Sequence, residues 1–194
     1  MTYEQRIDAE TSVPIKLTAK DFWLLAESGA FEKYARTELI EGEIWAVNSV
    51  WRWHSRVNAQ FAFAIMKGLE AAGINLTVYG PGSIAMSDDS VPEPDISVGE
   101  HETSANEPIS LNAVRIAVEL SDSTRKMDLG RKAQLYARHG VPEYWVADRK
   151  DQRLVVHSAP TAKGYARINS VPFGEVAPSH TLTGLMVETT SLLD

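Results

Sequence analysis

Residues 114–148 read VRIAVELSDSTRKMDLGRKAQLYARHGVPEYWVAD. The run VRIAVEL (114–120) has the continuous apolar character of a buried strand, and SDSTRK (121–126) is a polar loop. MDLGRKAQLYARHG (127–140) reads as a helix: Leu129, Ala133 and Tyr136 fall on neighbouring positions of one side, and Gly140 supplies a C-terminal stop. EYWVAD (143–148) is a second strand. A strand that ends in a carboxylate, Glu119, and a helix that carries a lysine, Lys132, set both the fold class and the chemistry to look for.

Working outward, Thr18 to Ser28 reads as a short helix with Thr18 as N-cap and Gly29 as stop. In TELIEGEIWAV (37–47), two apolar-rich runs flank Glu41-Gly42, the spacing of a tight hairpin. From Trp51 to Ala72, the residues Val57, Phe61, Ala64, Ile65 and Leu69 recur at helical spacing, with Gly73 ending the longest expected helix. LTVYG (76–80), SIAMS (83–87) and PDISV (94–98) are strand-like and suggest a curved central sheet. Gly99 to Asn112 is turn-rich and reads as a loop. Arg153–His157, Tyr165–Asn169 and Met186–Glu188 are further short strand candidates. The order is that of a mixed α/β fold rather than a repeated dinucleotide-binding pattern, and no Gly-rich nucleotide fingerprint occurs.

A chain of 194 residues suits one domain, 1–194, with a loose N-terminal arm over about 1–16. No apolar stretch has the length of a membrane span, so the expected partner is not a membrane and the expected location is cytoplasmic. With no cysteine, there is no thiolate nucleophile and no cysteine-held zinc; a metal here is held by oxygen or imidazole. The net charge of −7 argues against a protein that coats nucleic acid, so any chemistry on a polyanion rests on a local site.

Glu119 is the most informative residue. An apolar strand places a carboxylate where a hydrophobe is expected, and burying it unpaired is costly. Either a metal or cationic side chain partners it, or it reaches water at the strand end. Asp95, in VPEPDISV, is approached through Pro92 and Pro94, which stiffen the backbone before a β-branched strand; an ordinary Pro-Asp turn reads the same way. Lys132 sits four residues after Asp128. An exposed ion pair between them would contribute only a few tenths of a kcal/mol; the two upstream carboxylates favour a site instead. Hydrolysis of a phosphodiester needs an activated water, neutralised phosphate oxygens and help for the leaving alkoxide. Two carboxylates and a backbone carbonyl, that of Leu120, can hold Mg²⁺ or Mn²⁺, and a nearby lysine can orient the water or stabilise developing charge.

With these residues in place, the chain resembles the PD-(D/E)XK nucleases, and within them the Uma-type restriction endonuclease family. The resemblance spans nearly the whole chain and rests on ELIEGEI (38–44), His54, PDISV, the long run ending in EYWVAD and TLTGLMVE (181–188). It implies a restriction endonuclease-like fold, a mixed central β-sheet flanked by helices. It further implies that Asp95 and Glu119 match the metal-binding carboxylates and Lys132 the catalytic lysine, with DNA as substrate and a homodimer as the assembly. The superfamily lysine two residues after the glutamate is absent, because that position is Ser121; Lys132 on the following helix replaces it, with Lys126 as its rival. Glu41 falls where similar proteins carry an acidic residue near the site, though a hairpin tip is ordinarily solvated. His54 can assist a metal or phosphate or be structural, and Tyr136 can buttress Lys132 or serve the core.

Tyr144-Trp145 reads as strand packing rather than a stacking platform. The cluster Trp45, Trp51 and Trp53 reads as a subunit contact ahead of nucleic-acid stacking. The leading function is a metal-dependent DNA endonuclease. Its alternatives are a noncatalytic nucleic-acid-binding or regulatory module that keeps the fold, and a metal-dependent hydrolase of other phosphorylated substrates.

Overall fold

The computed structural model describes residues 13–47, 52–104 and 106–193. Most of the arm expected over about 1–16, and Trp51, lie outside the described residues. Helix α1, Ala19–Glu27, opens with a capping box in which Thr18 and Asp21 exchange side-chain to backbone hydrogen bonds. The hairpin β1, Arg36–Ile40, and β2, Glu43–Val47, closes on Glu41 (φ 52°) and Gly42 (φ 77°). Two central residues at positive φ match the twist of the strands, which is why Glu-Gly at the tip makes a two-residue turn. Helix α2, Arg52–Ala72, buries Val57, Phe61, Ile65, Gly68 and Leu69. The backbone carbonyl of Met186 would lie only 2.6 Å from a Cβ at Gly68, so this glycine lets the helix approach the chain there.

The central sheet has six strands. β3, Thr77–Tyr79, pairs antiparallel with β5, Ile96–Gly99, which pairs antiparallel with β7, Val114–Ser121. β7 runs parallel to β8, Glu143–Asp148. β9, Arg153–Thr161, and β10, Gly164–Pro172, complete the sheet as a long antiparallel hairpin, extending beyond the short strands expected there. SIAMS does not join this sheet. Only β4, Ile84–Ala85, is extended, and it pairs in parallel with β6, Ile109–Ser110, inside the expected loop. β11, Val176–Pro178, pairs with β12, Met186–Glu188.

Alternation along β7 explains the layering. Ile116, Val118 and Leu120 face a core built with Val57, Phe61, Ile65 and Leu69 of α2. Ala117 packs into a second core with Ala133, Leu135 and Tyr136 of α3, Ala133–Arg138, on the opposite face. Glu119 shares the parity of Ala117 and therefore points towards the α3 side. Between β7 and α3 the chain makes a π-helical turn, Met127–Lys132, in place of a regular α-helical start. The six-strand mixed sheet with helices on both faces is the expected fold class. Tyr144 and Trp145 are fully buried, as strand packing requires.

Candidate active site

The antiparallel register of β5 and β7 brings two carboxylates together. Ile96 pairs with Val118 and Ser97 with Ala117, so one further step sets Asp95 opposite Glu119, where the two strands part. Asp95 spans that gap: its Oδ2 accepts from the Leu120 N–H at 2.7 Å. Because the N–H and C=O of a strand residue point to the same edge, the Leu120 carbonyl is turned to that edge too. Asp95 Oδ1 accepts from Arg36 Nη1 at 2.7 Å, and His54 Nε2 lies 3.1 Å from Oδ2. Asn58, one turn after His54 on α2, donates to the Asp95 main-chain carbonyl at 3.0 Å. Burial pushes the Asp95 carboxyl up, but His54, Arg36 and the Leu120 N–H outweigh it and hold the group down at about 2.

Lys132 reaches in from the opposite side. Its Nζ donates to Glu119 Oε1 and to Glu38 Oε1, each at 2.8 Å, and no described residue donates to Glu119 Oε2. Lys132 and Asp128 are both buried, so the pair is not the exposed ion pair that their spacing alone allows. Burial opposes the ammonium, yet Glu119 and Glu38 raise its affinity for the proton, and Lys132 stays a cation. π-Helical turns recur at functional sites, and this one delivers Asp128 and Lys132 to the same cleft.

The hairpin supplies a third wall. Glu38 pairs across it with Trp45, and directly opposed residues share a face, so Arg36, Glu38 and Trp45 point one way. Together with Trp53, His54, Asp95, Glu119, Leu120, Thr124, Met127, Asp128 and Lys132, they line a cavity of about 290 Å³. Glu38, Asp95, Glu119 and Asp128 are all buried, facing two cations, Arg36 and Lys132. Burial raises Glu119 and Asp128, and also Glu93 nearby, towards protonation.

Among the described residues, no cluster of three or more histidine, aspartate or glutamate side chains is arranged to hold a metal ion. The donor set nevertheless suits a hard divalent cation. Mg²⁺ characteristically takes one or two carboxylates and keeps much of its water, and the surplus of buried carboxylates is the charge that such an ion offsets.

Asp95, Glu119, Leu120 and Lys132 thus meet in one cleft, with His54 against Asp95. Lys126, the rival lysine, is exposed and outside it. Glu41 is outside as well, bound to Arg131 and Arg138. Tyr136 is buried and stacked on Tyr144 at 4.6 Å, and its hydroxyl has no hydrogen-bond partner. Sequence reasoning did not single out Arg36, Glu38 or Asn58. For Glu38 a signal was present: a carboxylate in a strand, directly before the apolar pair Leu39-Ile40 of ELIEGEI.

The family described as "Putative restriction endonuclease", Uma2, matches residues 21–190. The chain belongs to this family. The Uma2 member described here is also similar to the crystal structure of a putative nuclease belonging to DUF820 from Anabaena variabilis. That likeness covers 92% of this chain and 97% of the other, at a TM-score of 0.67 and 20% identity. At that identity it speaks to the fold, which is restriction endonuclease-like. No curated protein matches the chain. Nuclease activity is the function supported for this Uma2 protein. Among the described residues, no helix is long and apolar enough to cross a membrane.

Proposed function

We propose that this chain is a metal-dependent endonuclease that hydrolyses DNA phosphodiester bonds, with Asp95, Glu119 and the Leu120 carbonyl as ligands for Mg²⁺ or Mn²⁺ and Lys132 as the catalytic lysine. The observation that supports it most is the meeting of Asp95, Glu119 and Lys132 from three separate elements in one cleft. The chemistry supplied by a bound divalent ion there is neutralisation of phosphate charge and acidification of water.

The chain's own groups divide the remaining work. Arg36 and the Leu120 N–H hold the Asp95 carboxylate ionised and fixed in direction. Lys132, kept cationic by Glu38 and Glu119, cannot take a proton from water; it donates hydrogen bonds that orient a nucleophile and stabilise charge growing on phosphate oxygens. Glu38 therefore positions the lysine.

The noncatalytic reading draws on a different observation: both Asp95 oxygens already have partners within the chain. A cleavage assay on both supercoiled plasmid and single-stranded DNA separates the two. With Mn²⁺, the wild type is expected to cut at least one of these substrates, and Glu119→Gln to lose at least about a hundredfold of that rate while staying folded. Full activity in Glu119→Gln would sink the site assignment; a wild type inert in Mn²⁺ and Mg²⁺ would favour the noncatalytic module.

A further inference from the structure

The walls of the cleft are chemically unlike its floor. The buried floor is carboxylates and lysine; two indoles also line the cleft, the exposed Trp45 from β2 and the half-buried Trp53 from α2. Trp45 is 43% exposed, an unusual setting for the largest apolar side chain, and it stands across the hairpin from Glu38, whose carboxylate binds Lys132. Each indole has a guanidinium over one face: Arg131 at 5.5 Å from the Trp45 ring centre and Arg149 at 4.6 Å from that of Trp53. An aromatic ring backed by a guanidinium on one side can offer a planar partner one stacking contact.

Duplex DNA is bound chiefly through phosphates and needs a track of uncompensated positive charge. Among the described residues, the elements framing this cleft provide no continuous one: the exposed Arg52, Arg56 and Lys126 carry no ion pair, but the other arginines there are neutralised. Arg125 pairs with Asp148 and Asp151, Arg131 with Glu41 and Glu43, Arg138 with Glu41, and Arg149 with Asp122. The whole chain carries −7. Stacking on exposed indoles adds affinity whatever the base and requires bases that are already unpaired, so it favours a single strand over a duplex.

Building on the hydrolase reading above, we propose that the substrate is single-stranded DNA, and that Trp45 and Trp53 receive the base beside the scissile phosphate. Unpaired bases at a flap, gap or loop meet the same requirement; a continuous duplex does not. Trp45 is the better position to test, since its exposure makes Trp45→Ala compatible with folding, whereas Trp53 packs against the core.

The experiment is fluorescence anisotropy of a labelled 12-nucleotide single strand and of the same sequence as a duplex, in Mg²⁺, with Glu119→Gln protein so that no cleavage intervenes. The single strand is expected to bind at least about tenfold more tightly than the duplex. Adding Trp45→Ala is expected to weaken single-strand binding about tenfold, and Trp45→Phe to retain most of it. Equal affinity for the duplex, no binding of either, or no effect of Trp45→Ala would each overturn the proposal. Wild-type cleavage assays keep the two readings apart. Cleavage of duplex plasmid unaffected by Trp45→Ala would leave the hydrolase standing and remove this inference. Tryptophan-dependent single-strand binding without any cleavage would overturn the hydrolase reading and, with it, single-stranded DNA as a substrate, leaving the indoles as a binding surface.

Discussion

Glu119 and Glu143 are both fully buried glutamates on adjacent strands of one sheet, and their surroundings differ completely. Glu143 Oε1 accepts from Ser179 Oγ, His180 N–H, Thr181 N–H and Thr181 Oγ1, and its Oε2 accepts from Trp145 Nε1. Five neutral donors satisfy it, and they tie the 179–181 turn to the end of β8. Glu119 has one charged donor, Lys132, one oxygen without a donor among the described residues, and other carboxylates around it. A buried carboxylate saturated by neutral donors is a structural clamp; one left short of donors, beside like charges, is poised for a cation or a reaction.

Removing each carboxylate in turn and measuring stability by urea unfolding separates the clamp from the poised group. Glu143→Ala strands all five donors, and a loss of about 3 kcal/mol or more is expected. Glu119→Gln relieves like-charge repulsion and leaves Lys132 bound to Glu38, so its stability is expected within about 1 kcal/mol of wild type. Similar losses for both would mean that Glu119 is also a clamp.

Acidification gives a smaller effect with a defined sign. Asp95 titrates at about 2 in the folded chain against an ordinary 3.8, a depression that contributes about 2 kcal/mol. That stability is present above about pH 4 and lost as pH falls through about 2. Glu119 and Asp128 are shifted the other way, so their contribution is lost as pH rises through their raised values. Unfolding free energy should therefore increase on mild acidification from neutrality and collapse below about pH 4. A flat profile through this range would contradict the charge balance assigned to the cleft. The smallest expected change is at Tyr136, whose buried hydroxyl has no partner: Tyr136→Phe should stabilise the chain by up to about 1 kcal/mol in the same unfolding assay. Destabilisation there would reveal a role in supporting Lys132.

Much of this was legible in the sequence where local rules govern. The Glu41-Gly42 turn, the Thr18 cap, the apolar stripe of α2 and the β7 to β8 run each follow from a few neighbouring residues. SIAMS reads as a strand of the central sheet, but an apolar run of strand length does not say which sheet it joins, and β4 pairs with β6 instead. The π-helical turn at Met127–Lys132 has no pattern of its own, since Asp128 and Lys132 share a side in an α-helix as well. In the site, Asp95, Glu119 and Lys132 were marked by their settings. Glu38 and Arg36 were not, because their partners Lys132 and Asp95 lie 94 and 59 residues away and only the fold brings them together. Glu143 shows the converse limit: nothing local separates a clamp from a reactive carboxylate.

If Asp95 and Glu119 hold one divalent ion, a calorimetric Mn²⁺ titration of the wild type beside Asp95→Asn and Glu119→Gln, with folding of each checked, will register it. Saturable binding to the wild type at one site, lost or strongly weakened in both variants, is the expected result. Binding that survives both substitutions, or a wild type that takes up no Mn²⁺ even with single-stranded DNA present, would contradict it.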